Sequence, residues 1–110
     1  MVKSKWIVNF LGIEPNLVDG DVKQVYLIVK LDKCLLTTER SIYKEGDQVA
    51  LHLRNVIIND LGITDLNVFD NKYCKKLSSK IKSGFVVIEE EGDNFNLVSL
   101  DCLKNAIVAI

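Results

Sequence analysis

One histidine and three cysteines are the residues of this chain best suited to chemistry, and their spacing limits what they could do together. His52 has no second histidine to work with, and the cysteines stand at 34, 74 and 102. A zinc centre is marked in sequence by a close pair of soft ligands such as Cys-x-x-Cys. The two nearest cysteines, Cys74 and Cys102, are 28 residues apart, so no metal site is expected. A thiol–imidazole pair joining His52 to Cys34, Cys74 or Cys102 is the nucleophilic arrangement the inventory allows. Cys74 would be its best member, since Lys75, Lys76 and a nearby helix N-terminus would lower its pKa. Against this, three widely spaced cysteines read as reduced thiols that pack as small hydrophobes.

The carboxylates cluster at Asp19/Asp21 and at Glu89/Glu90/Glu91/Asp93. Both groups fall at expected turns, where acids are common, and neither has calcium-loop spacing. The six glycines form no phosphate-cradling loop, and no serine sits in a nucleophile-elbow pattern. No catalytic residue, metal or cofactor is assigned, and an enzyme is not the expectation.

Residues 70–84, DNKYCKKLSSKIKSG, are the other distinctive stretch. Lys72, Lys75, Lys76, Lys80 and Lys82 lie here, with no acid between Asp70 and Glu89. On a helix, Lys72, Lys76 and Lys80 line up at i, i+4, i+8 beside a parallel apolar stripe of Tyr73, Leu77 and Ile81. Like charges four apart repel by a few tenths of a kcal/mol per pair, so an unmixed lysine row suits a polyanion or an acidic protein surface. The residues fit a solvated face better, with lysines favoured near a helix C-terminus and answered across space by Glu89, Glu90 and Glu91. The stretch lacks arginine and has one aromatic, Tyr73, which weakens a case for bidentate phosphate contacts or base stacking.

The elements that must position these residues follow from periodicity. Residues 5–13 and 22–31 are rich in β-branched and aromatic residues and flank Asp19-Gly20, a tight-turn pair, so they read as two strands. Cys34–Thr37 would add a short third strand. Residues 47–61, DQVALHLRNVIINDL, fit both periods. Asp47 as N-cap and Gly62 as stop favour a helix with Val49, Leu53, Val56, Ile57 and Leu61 on one stripe. Leu66–Phe69 reads as extended, and Asn71 to Gly84 bracket a helix. Phe85–Glu89 and Phe95–Val98 form a hairpin around Gly92-Asp93-Asn94. Ser99 caps a last helix carrying Leu100, Leu103, Ile107 and Ile110.

This order predicts an α+β fold, a mostly antiparallel sheet with two to three helices packed against it. A small β-barrel is the alternative if 47–61 is strand. The 110 residues, 48% hydrophobic and 26% charged, are one globular domain spanning 1–110. A formal net charge of −1 provides no global pull toward nucleic acid or membrane. No apolar run is long enough to span a bilayer or to form a signal peptide, so a soluble cytoplasmic protein is expected.

The chain ends Ala106-Ile107-Val108-Ala109-Ile110. An apolar end must be covered, by its own sheet or by a second copy, which makes Leu103, Ile107 and Ile110 the candidate self-association residues. The functional expectation is a small non-enzymatic binding or regulatory protein, working through a protein–protein surface and self-associating as a homodimer. The alternative is a nucleic-acid-binding module using the lysines of 72–82.

Overall fold

The computed structural model describes residues 1–81 and 86–110. Five antiparallel strands form one sheet: β1 (Val2–Val18), β2 (Asp21–Thr37), β3 (Gln48–His52), β4 (Val86–Glu91) and β5 (Asn94–Leu97), in the order β3-β2-β1-β4-β5. Helices α1 (Asn71–Ser78) and α2 (Asp101–Val108) follow β3 and β5, and short helical turns cover Val56–Asp60 and Leu66–Val68. This is the expected α+β class.

The first two strands are longer than their hydrophobic runs suggest. They form one hairpin, in which Cys34–Thr37 is the continuation of β2 and not a separate strand. Asp19 and Gly20 both take positive φ, 52° and 84°. That is the twist a two-residue hairpin turn needs, and Gly20 adopts it without steric cost. Register shifts along β1, including one between Phe10 and Gly12, bend the strand. Its first half is central, paired with β4 as far as Val8. Its second half is an edge, where Pro15 is tolerated. There α1 takes over: the Ile13 amide donates to Ser78 Oγ at 2.9 Å.

The helix expected over 47–61 does not form. Val49, Leu51 and Leu53 are buried while Ala50 and His52 are exposed, the period-2 pattern of a half-covered strand. Asp47 caps no helix. Its carbonyl accepts from Leu31 and its carboxylate from the Lys44 amide, docking the chain onto β2. Gly62, with φ 71°, does follow a helical turn, but only the single π-helical turn Val56–Asp60. The extended reading of Leu66–Phe69 is also corrected. That segment is a 3₁₀ turn, started by Asp65 accepting from the Asn67 amide.

α1 begins one residue early, with Asp70 as the cap accepting from Tyr73, and ends at Ser78. The Ser78 hydroxyl donates back to Cys74 while accepting from Ile13, and Ser79 closes the end with bonds to Leu77 and Lys76. Leu77 and Ile81 are buried and Tyr73 half-buried, although Ile81 lies past the helix. The expected stop at Gly84 and strand start at Phe85 lie outside the described residues. In α2, Ser99 stands one residue ahead of the cap position, Leu100, and accepts from Asp101.

The sheet curls around its own core without closing into a barrel. Inward rows run Ile13–Leu27–Leu51 and Phe10–Val29–Val49. Phe69, Cys74, Leu77, Leu103 and Ala106 belong to the same core. Burying side chains of this size stabilises by about 1.5–3 kcal/mol each before entropy is counted.

Candidate functional site

The cysteines do not assemble with His52. Cys74 is buried, with its Sγ 3.4 Å from the Phe69 carbonyl. Burial pushes its thiol up to about 11, and the Asp70 carboxylate adds to the shift. The lowered pKa expected beside Lys75 and Lys76 is therefore reversed, because those ammonium groups face water while the thiol faces the core. Burial also raises the half-buried Cys102 thiol. Half-buried Cys34 pairs across the ladder with buried Trp6. His52 is on the other side of the sheet, its ring edge-on to Tyr26. Among the described residues, no group of histidine, cysteine, aspartate and glutamate could hold a metal ion.

The lysine stretch divides. Lys72, Lys75 and Lys76 lie exposed on α1, and Lys80 is exposed in the turn after it. The expected i, i+4, i+8 row is thus broken after Lys76. Lys82 lies outside the described residues. Across-space compensation by the acids of β4 is absent among those residues. Glu89 pairs with Lys5 at 3.4 Å and Glu91 with the N-terminal ammonium at 3.4 Å. Glu90 points inward, where Ser4 and Ser41 each donate to its Oε1 at 2.7 Å. The Trp6 indole donates to Ser4 Oγ and completes a buried polar network. Reading the acids as a turn cluster hides Glu90, although it shares strand parity with Val86 and Ile88.

Of the C-terminal residues, Leu103 is 1% exposed and committed to the chain's own core. Ile107 is half-buried against that core, and Ile110 is exposed. Leu103 has no surface to offer a second copy, whereas Ile110 and the neighbouring Val108, 85% exposed, do.

A site that the sequence alone does not single out lies on the outer face of β1–β2–β3. Ladder partners share a face, so the register stacks three rows there. They are Glu14–Tyr26–His52, Gly12–Ile28–Ala50 and Asn9–Lys30–Gln48. Tyr26 and Ile28 are half-buried, and Lys30, Gln48, Ala50 and His52 are exposed. The Tyr26 and His52 rings meet at 5.1 Å and 68°, an edge-to-face pair of favourable geometry. Gly12 and Ala50 are small, so Ile28 stands between two low neighbours beside that aromatic pair. The patch holds one acid, Glu14, and one base, Lys30, at its corners.

No protein-family model, curated protein or solved structure matches the chain. No helix among the described residues is long and apolar enough to cross a membrane.

Proposed function

We propose that the chain is a small non-enzymatic binding protein of the cytoplasm that takes a protein partner on the outer face of β1–β2–β3. The observation that carries this reading is the patch around Ile28: an aromatic pair and an aliphatic side chain, flanked by small residues, almost free of charge and mounted on a sheet. Interface centres are enriched in aromatic side chains and depleted of charge, and a few such residues supply most of the binding energy. A regulatory role and self-association through Ile107 and Ile110 belong to the same proposal; Leu103 is withdrawn from it. Capture from a lysate of the source cells tests the reading. The partner should survive nuclease treatment and be lost from Ile28→Glu, with the far-UV spectrum unchanged. Capture indifferent to that substitution would overturn the reading.

A second reading, nucleic-acid binding, is favoured by two observations. Lys72, Lys75, Lys76 and Lys80 make no ion pair among the described residues, while the β4 acids are engaged elsewhere. The order β4-β1-β2-β3 is also a Greek key. Five-stranded, partly open Greek-key barrels of the OB type hold oligonucleotides on the face of strands 2 and 3. That likeness is one of layout only. The near-neutral patch on that face argues for protein, because phosphate neutralisation supplies most nucleic-acid affinity.

A further inference from the structure

The two edges of the sheet face each other without joining. Cα atoms of β3 and β5 come within 8 Å, yet no ladder connects the strands. Along an antiparallel strand, alternate residues send both backbone polar groups to the same edge. The Asp47 carbonyl and the Leu53 amide bond to β2, so Ala50 and His52, at the intervening positions, turn theirs toward the gap. The Val98 amide bonds to Val87 of β4, so Phe95 and Leu97 turn theirs toward the gap from the other side. Between these edges is a cavity of about 170 Å³ lined by Leu51, Leu53, Phe95 and Leu97, with the polar His52, Asp60 and Asn96 also on its wall. By volume it accommodates a benzene-sized group.

Strand count sets the direction of any addition. Five strands, each antiparallel to its neighbour, leave β3 and β5 running the same way. A sixth strand antiparallel to β3 is then antiparallel to β5 as well. We propose that this gap takes an extended peptide segment of a partner as a sixth strand, laddered to Ala50 and His52 on one side and to Phe95 and Leu97 on the other. One aliphatic or aromatic side chain of the segment sits in the cavity. The occupant is identified by its backbone: only an extended chain offers amides and carbonyls at the two-residue repeat of these edges, with alternate side chains left to fill a pocket. Two ladder spacings span about 9.6 Å, more than the 8 Å within which the two edges approach, so β5 moves outward on binding. It is the element able to do so, being short and laddered on one side only. The gap shares Ala50 and His52 with the outer-face patch, Ala50 through its backbone alone, and does not depend on that reading.

The test pans a displayed library of random nine-residue peptides against the full chain and resynthesises the selected sequences. Binders should carry one large apolar residue at a fixed place. Their binding should slow hydrogen exchange at the amides of Ala50, His52, Phe95 and Leu97. Ala50→Pro deletes an outward amide on an edge strand, where proline is tolerated, and should weaken binding about tenfold, the worth of one hydrogen bond. Methylating alternate peptide amides should do the same without altering the protein, which keeps the test valid should Ala50→Pro not fold. Ile28→Glu should leave peptide binding unchanged. The proposal is overturned if no peptide binds more tightly than about 100 μM, or if the selected peptides are indifferent to the amide changes on either side.

Discussion

Ser41 and Glu90 are joined by a 2.7 Å hydrogen bond across 49 residues of sequence. Glu90 is 4% exposed, and its Oε1 also accepts from Ser4, whose own hydroxyl oxygen accepts from the Trp6 indole. One carboxylate thus ties the segment after β2 to the start of β1 and to β4. Hydrogen bonds to a charged group contribute about 1.5–3 kcal/mol each. Glu90→Ala, which leaves both hydroxyls without their acceptor, should therefore lower stability by about 2–4 kcal/mol, and Ser41→Ala by about 1–2 kcal/mol. Urea titration would show this as a lower midpoint with an unchanged slope. A loss from Glu90→Ala below about 0.5 kcal/mol would mean the network holds nothing together.

The Cys74 thiol gives a pH dependence of known sign. Its folded pKa of about 11 lies above the unfolded value of about 8.5. Between these limits the unfolded chain has lost the proton and the folded chain has kept it. Stability must then fall as pH rises from about 8.5 to about 11, and the contribution is complete below that window. Urea midpoints across the window should decline less in Cys74→Ala than in the parent. Parallel declines would contradict a buried protonated thiol.

The C-terminal helix separates folding from association. Leu103→Ala should cost about 2–5 kcal/mol by leaving a cavity in the core, whatever the oligomeric state. Ile110→Asp, at an exposed position, should change stability by less than about 0.5 kcal/mol while abolishing the dimer mass in sedimentation equilibrium. A monomer for the parent chain at micromolar concentration would remove self-association from the proposal.

Binding to a single-stranded oligothymidylate gauges the lysines. At physiological salt it should be no tighter than non-specific association, about 10⁻⁴–10⁻⁶ M, and the triple change of Lys72, Lys75 and Lys76 to Glu should remove what there is. Nanomolar binding with a steep salt dependence would promote the nucleic-acid reading over the protein one.

What could be read from the sequence was what local patterns decide. The β1–β2 turn at Asp19-Gly20, the β4–β5 hairpin and the buried Leu77 follow from turn chemistry and periodicity. Residues 47–61 did not, because Val49, Leu51 and Leu53 satisfy a strand while Val49, Leu53, Val56 and Ile57 satisfy a helix. The choice is made by β2, whose edge pairs Tyr26 with His52 and Ile28 with Ala50, and no local signal carries that. Likewise α1 stops where Ser78 meets Ile13, a contact 65 residues distant in sequence, which truncated the lysine row. The outer-face patch was illegible for the same reason. Gly12, Tyr26, Ile28, Ala50 and His52 become neighbours only through register.

The face around Ile28 is the proposed meeting place with the partner. The most direct measurement is the dissociation constant of the captured partner for the parent chain, for Ile28→Glu and for Tyr26→Ser. Each substitution should weaken binding at least about 30-fold, equivalent to about 2 kcal/mol, with unchanged thermal stability. Affinities within about twofold of the parent in both variants would contradict that assignment.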